Sequence, residues 1–192
     1  AGKIYVAGRV GTRSGSLMKH DPAYEPPEFW GLKNTGSFSF EFMGGGVAVV
    51  CGYDSEEFES VLGDRSCVGM VGGTIYFRGE TDGSYSRTNA RLDVPNDEQW
   101  QWLTDNMATY LQKIGREELL ETLTKRDEWQ LLIAITPQER ALMWSGPMPM
   151  AEFRNEHWNK AFGGDPLRDL APGLDRSPIE AIVTGELRRK KI

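Results

Sequence analysis

The chain writes one pattern twice, FMGGGVAVVCG at residues 42–52 and GMVGGTIYFRG at residues 69–79. Superposing the two sets Met43 over Met70, Gly45 over Gly72, Gly46 over Gly73 and Gly52 over Gly79, each pair 27 residues apart. A third, shorter copy, GKIYVAG, again places two glycines, Gly2 and Gly8, around five strand-like residues. An internal repeat constrains the fold more than any single residue does, because each copy must be one unit that finishes its burial on its neighbours.

Five residues rich in Val, Ile, Tyr and Phe favour a short strand, and a glycine at each end permits positive φ or close backbone approach where the chain turns. Strand alternation puts Ile4, Val6, Ala48, Val50, Ile75 and Phe77 on one face and Tyr5, Val49 and Tyr76 on the other. The copies recur 44 and then 27 residues apart, too far for tight hairpins. Stacked coils of a parallel β-helix, a solenoid, therefore fit better than a Gly-rich antiparallel meander. Met-x-Gly-Gly becomes a corner at which any side chain would hold successive coils apart.

Unequal spacing implies insertions. HDPAYEPPEFWGL (His20 to Leu32), with three prolines and three aromatics, reads as an ordered excursion that cannot be a central strand. YDSEEFESVLGD (Tyr53 to Asp64) reads as a second, acidic excursion with room for one helical turn. The first copy lacks a Met-x-Gly corner, and this reading expects its open end to be covered, by self-association or by another chain.

Past residue 96 the hydrophobic period changes from 2 to 3.6. Trp100, Leu103, Met107, Leu111 and Ile114 form one helical stripe, Asn96 with Gln99 makes a capping box, and Gly115 stands at the C-terminal cap. A second helix over about 116–125 carries Leu119, Leu120 and Leu123. WQLLIAI (Trp129 to Ile135) fits a strand or a buried helix equally, and Thr136, Pro137 and Glu139 start a short helix. From Ser145 onward prolines alternate with aromatics, so this tail is expected to lie on another surface. The expected domains are 1–92 (β-helix), 93–144 (packed helices) and 145–192 (a docking tail).

Acidic residues outnumber basic ones 28 to 22, and a net charge of -6 gives no electrostatic reason to expect nucleic acid as a partner. The basic run Arg188 to Lys191 reads as a solvated tail. No apolar run reaches membrane-span length and no signal peptide is visible, so neither a membrane nor export is expected. Two cysteines, Cys51 and Cys67, are too few for a disulfide framework and fit a reducing, cytoplasmic setting. Their positions near equivalent coils leave open that they face one another, with buried free thiols the default.

Chemistry is sparse. His20 and His157 have no metal-ligand partner at helical spacing. GTRSG (Gly11 to Gly15) sets its serine one position late for a nucleophile elbow. GRVGTRSG (Gly8 to Gly15) lacks both the phosphate-binding lysine and the dinucleotide glycine spacing and reads as a turn. Asp64 and Arg65 form a local ion pair at a corner, and Glu56 and Glu57 are loop carboxylates. No catalytic, cofactor-binding or metal-binding residue is assigned, and no activity is expected of the chain alone.

GGGVAVVCG and VGMVGGTIYFRG resemble the rung signature of the GXGXG-motif family, found in the C-terminal domain of the large polypeptide of glutamate synthase and in one polypeptide of formylmethanofuran dehydrogenase. The likeness covers residues 1–90 and extends weakly to Glu128–Ala141. It implies a mainly β fold class, a single-stranded right-handed parallel β-helix followed by an α-helical C-terminal extension. It further implies a structural, docking role in a glutamate synthase-like amidotransferase and oxidoreductase complex of nitrogen metabolism. On that reading the chain forms a homo- or hetero-oligomer with glutaminase-type and FMN-binding synthase subunits, and FMN and an iron–sulfur cluster sit on those partners. A scaffold in a formylmethanofuran dehydrogenase-like complex is the alternative, and a stand-alone hydrolase of small esters the disfavoured third.

Overall fold

The computed structural model describes residues 1–55, 60–81, 83–136 and 138–140, all within one compact unit, Ala1–Ala141. The docking tail expected over 145–192 lies outside the described residues. Six strands, β1 (Lys3–Val6), β2 (Glu28–Gly31), β3 (Gly44–Val50), β4 (Gly72–Arg78), β5 (Ala90–Asp93) and β6 (Trp129–Ala134), form one sheet in the order β1-β2-β3-β4-β6-β5. The first four run parallel, while β6 pairs antiparallel with both β4 and β5.

This corrects the expected fold class. The structure is an open, mixed, α/β-like sheet and not a parallel β-helix solenoid. Two physical reasons account for the difference. The segments joining successive parallel strands carry alternate left-handed residues, such as Phe38, Phe40 and Phe42, so they stack as turns and supply no further sheet to close a coil. And β6 covers the edge of β4 with an antiparallel ladder, which ends the parallel progression.

A second correction concerns His20 to Leu32. Its last residues are β2, a central strand lying between β1 and β3, so Gly2 to Gly8 do not lie beside Gly46 to Gly52. The prolines stop before the strand starts, and Phe29 and Trp30 pack on opposite faces of the sheet. The aromatics that made the stretch look like an excursion are the core residues of an extra strand.

Side-chain alternation behaves as the pattern requires. Ile4, Phe29, Ala48 and Ile75 stand in register on one face, and Tyr5, Trp30, Val49 and Tyr76 on the other. On the first face Phe29, Ala48 and Ile75 form one core with Met43, Met70 and Phe77, while Ile4 on the edge strand is exposed. The second is covered by helix α1 (Asp97–Ile114), whose Leu103, Met107, Tyr110 and Leu111 are buried against it. The Asn96/Gln99 capping box and the left-handed Gly115 bound α1 as its sequence signals, the cap contributing about 1 kcal/mol. An aromatic series crosses this core: Tyr5 to Tyr110 at 5.6 Å, Tyr110 stacked on Trp30 at 5.1 Å, Trp30 to Trp102 at 5.9 Å and Trp102 stacked on Tyr76 at 5.4 Å. The Tyr110 hydroxyl donates to the Val6 carbonyl at 2.8 Å, joining the helix to β1.

The second half is less helical than the expected 116–125 helix: a 3-10 turn, Glu117–Leu119, runs into a four-residue helix α2, Leu120–Leu123. WQLLIAI resolves as strand, because Leu131 and Leu132 must enter opposite cores, which only period-2 alternation allows. The buried Trp129 indole donates to the Leu123 carbonyl at 2.9 Å. No helix among the described residues is long and apolar enough to cross a membrane.

The glycine corners work as the repeat implies at two places. A Cβ at Gly72 would stand 2.6 Å from the Gly44 carbonyl oxygen, and one at Gly73 would stand 2.5 Å from the Met43 Cε. Corners touch backbone to backbone, and a bulge between Gly44 and Val47 shifts the register there.

Candidate functional site

Each parallel strand hands the chain to a turn segment, and a second repeat lies in those segments: Gly11-Thr-Arg-Ser14, Gly36-Ser-Phe-Ser39, Gly63-Asp-Arg-Ser66 and Gly83-Ser-Tyr-Ser86. The first three continue to Met18, Met43 and Met70 at the same spacing. Reading outward from the Met-x-Gly corners missed this repeat. The signal that would have found it is the run of glycine with serine three residues later, repeated 25, 27 and 20 residues apart.

Backbone hydrogen bonds hold the turns in a stack. Arg13 N–H donates to the Ser37 carbonyl at 2.9 Å, Phe38 N–H to Asp64 at 2.8 Å, Leu17 N–H to Glu41 at 2.9 Å and Phe42 N–H to Val68 at 2.8 Å. To present those donors the chain alternates handedness. Arg13, Leu17, Phe38, Phe42 and Arg65 all have φ between 54° and 60°, at a cost of order 1 kcal/mol for each non-glycine residue.

Those left-handed positions carry unusual side chains. The Phe38 ring lies between two guanidiniums, Arg13 at 5.5 Å and Arg65 at 5.8 Å from its centroid. Arg13 also pairs with Glu41 at 3.1 Å, and Arg65 with Asp64 at 3.5 Å, the local pair expected from sequence. Beside this ladder Leu17 is 62% and Phe42 51% exposed. The result is one edge of the molecule with cationic and apolar side chains in adjacent columns.

At the start of the same turns lies an open groove of about 500 Å³, bounded by Arg9, Val10, Thr12, Ser37, Ser60 and Asp64. Its floor includes Gly11, Gly36 and Gly63. A Cβ at Gly36 would stand 2.7 Å from the Gly11 carbonyl carbon and the Thr12 nitrogen, and one at Gly63 would fall on the Gly36 carbonyl. The GRVGTRSG segment is thus part of a groove, built as a stacked turn. A second groove, between Gly79 and Asp127, contains Arg78, whose charge is answered by Glu128 at 2.6 Å.

The other residues singled out from sequence do not converge. Cys51 and Cys67 are both buried, but they belong to the two separate cores, so they do not face one another. The reason is register: Cys51 follows β3 into the face under α1, and Cys67 sits in a turn under the other face. His20 makes a ring-nitrogen hydrogen bond with the Tyr24 carbonyl at 2.9 Å on the surface. Glu56, Glu57 and His157 lie outside the described residues. Among the described residues no group of three or more His, Cys, Asp or Glu side chains could hold a metal.

Burial pushes the Cys67 thiol up from 9.0 to about 12 and the Tyr76 hydroxyl from 10.0 to about 12. Both groups are neutral in their acid form and ionise later in the folded than in the unfolded chain. Their contribution is complete below about pH 9 and falls away as pH rises toward 12. Urea unfolding at pH 8 and pH 11 should therefore show a clear loss of stability at the higher pH, with the Cys67→Ala, Tyr76→Phe double variant losing less. Equal losses in both proteins would exclude these two groups as the cause.

No family model matches the chain, and no curated protein is recognisably similar to it.

Proposed function

We propose that this chain is a non-catalytic docking subunit or domain of a glutamate synthase-like amidotransferase and oxidoreductase assembly. Its partners supply the glutaminase nucleophile, the FMN and the iron–sulfur cluster. The resemblance of the Met-x-Gly-Gly corners to the GXGXG family points to that assembly. The observation that carries the docking role is the turn edge. Leu17 and Phe42, whose left-handed backbone is fixed by hydrogen bonds between turns, leave large apolar side chains exposed side by side with the arginine ladder, and such exposure is best explained by a contact made elsewhere. The flanking Arg13 and Arg65 suit a partner surface with carboxylates around an apolar centre.

Affinity purification of the full chain from its native source tests this. A glutaminase-type and an FMN-binding polypeptide should co-purify, and Leu17→Ser with Phe42→Ser should lose both while the circular dichroism stays unchanged. A pterin-binding polypeptide in their place would favour the formylmethanofuran dehydrogenase-like scaffold. Ester turnover by the isolated chain, abolished by changing one serine, would overturn the non-catalytic reading.

A further inference from the structure

We infer that the groove over Gly11, Gly36 and Gly63 binds a neutral polyhydroxylated ligand, an uncharged oligosaccharide. The inference concerns the residues at the start of the turns, not Leu17 or Phe42, and does not depend on the docking role.

Thr12, Ser37 and Asp64 occupy the same place in three successive turns, each directly after the stacked glycine, and all three line the groove. The hydrogen bonds between turns set the step at about 4.8 Å. Two hydroxyls and a carboxylate therefore stand in a row above bare peptide, since no Cβ fits on Gly36 or Gly63. Hydroxyls both donate and accept, and a carboxylate only accepts. A ligand rich in hydroxyl groups, each of which also does both, can satisfy such a row without carrying charge. Ser60 adds a further hydroxyl, and Val10 offers an apolar wall to the C–H face of a sugar ring.

Charge separates this ligand from its competitors. Among the described residues the groove's charged lining is one arginine, Arg9, and one aspartate, Asp64. A phosphate would meet the Asp64 carboxylate, and a divalent cation would find that carboxylate already beside Arg65, 3.5 Å away. Opposite single charges cancel for a neutral ligand and oppose either ion. The volume of about 500 Å³ falls inside the range of roughly 300–1,000 Å³ typical of small-molecule sites.

The test uses the full chain with maltohexaose, cellohexaose, xylohexaose and chitohexaose, followed by saturation-transfer NMR and titration calorimetry. At least one sugar should bind saturably. Asp64→Ala should weaken it about tenfold, the effect of losing a hydrogen bond to a charged group, and Thr12→Val with Ser37→Ala should weaken it comparably. These groups are exposed or half-buried, so the melting temperature should not change, and Glu80→Ala at the second groove should leave binding intact. Three results would overturn the inference: no saturable binding of any of the four at millimolar concentration, binding indifferent to both groove variants, or tighter binding of inorganic phosphate or Ca²⁺ than of every sugar.

Discussion

Gly63→Ala should destabilise the protein by about 3 kcal/mol or more. The added Cβ would fall on the carbonyl carbon and oxygen of Gly36, and φ at Gly63 is +69°. Backbone cannot rotate aside as a flexible side chain can, so adjacent turns must part and the Phe38 N–H bond to Asp64 at 2.8 Å is strained with them. For a unit of this size the expected fall in melting temperature is roughly 6–12 °C. Gly8→Ala is the matched control: nothing lies within 4 Å of its Cβ position and its φ is not left-handed, so the change should stay within about 0.5 kcal/mol. Thermal melts of the two variants side by side would refute the stacked-turn account if both fell equally or neither fell.

Trp30→Ala should cost about 3–5 kcal/mol. Trp30 is fully buried, stacks on Tyr110 at 5.1 Å and lies 5.9 Å from Trp102. Its indole N–H also donates to Glu28 at 2.9 Å. Removing it opens a cavity between β2 and α1 and breaks the aromatic series in its middle, so near-ultraviolet circular dichroism should collapse along with stability. Trp30→Phe keeps a ring on Tyr110 and should lose less than Trp30→Ala. A loss below about 1 kcal/mol for the alanine variant would mean that the helix does not rest on this residue.

Local signals in the chain were sufficient for several elements. The two faces of the parallel strands, the α1 stripe with its caps and the closely packed glycine corners at Gly72 and Gly73 all follow from periodicity and steric need. The candidate grooves were legible only in part. Gly8 to Gly15 read as a turn, which it is, yet its lining role depends on Ser37 and Asp64 arriving from later turns.

Three features were decided by tertiary structure. Glu28–Gly31 became a central strand because its neighbours on both sides offer ladders and cores for Phe29 and Trp30, whereas its prolines argued locally against a strand. Trp129–Ala134 became antiparallel strand because β4 presents an unpaired edge and two cores claim alternate leucines. The sheet stayed open because left-handed residues in the turns, held by hydrogen bonds between turns, replace the further sheet that a closed coil needs. Periodicity and propensity act along the chain and belong to the sequence alone. Strand order, edge coverage and the handedness of a strained turn depend on which distant backbone groups are left to be satisfied, and that is settled only when the segments meet.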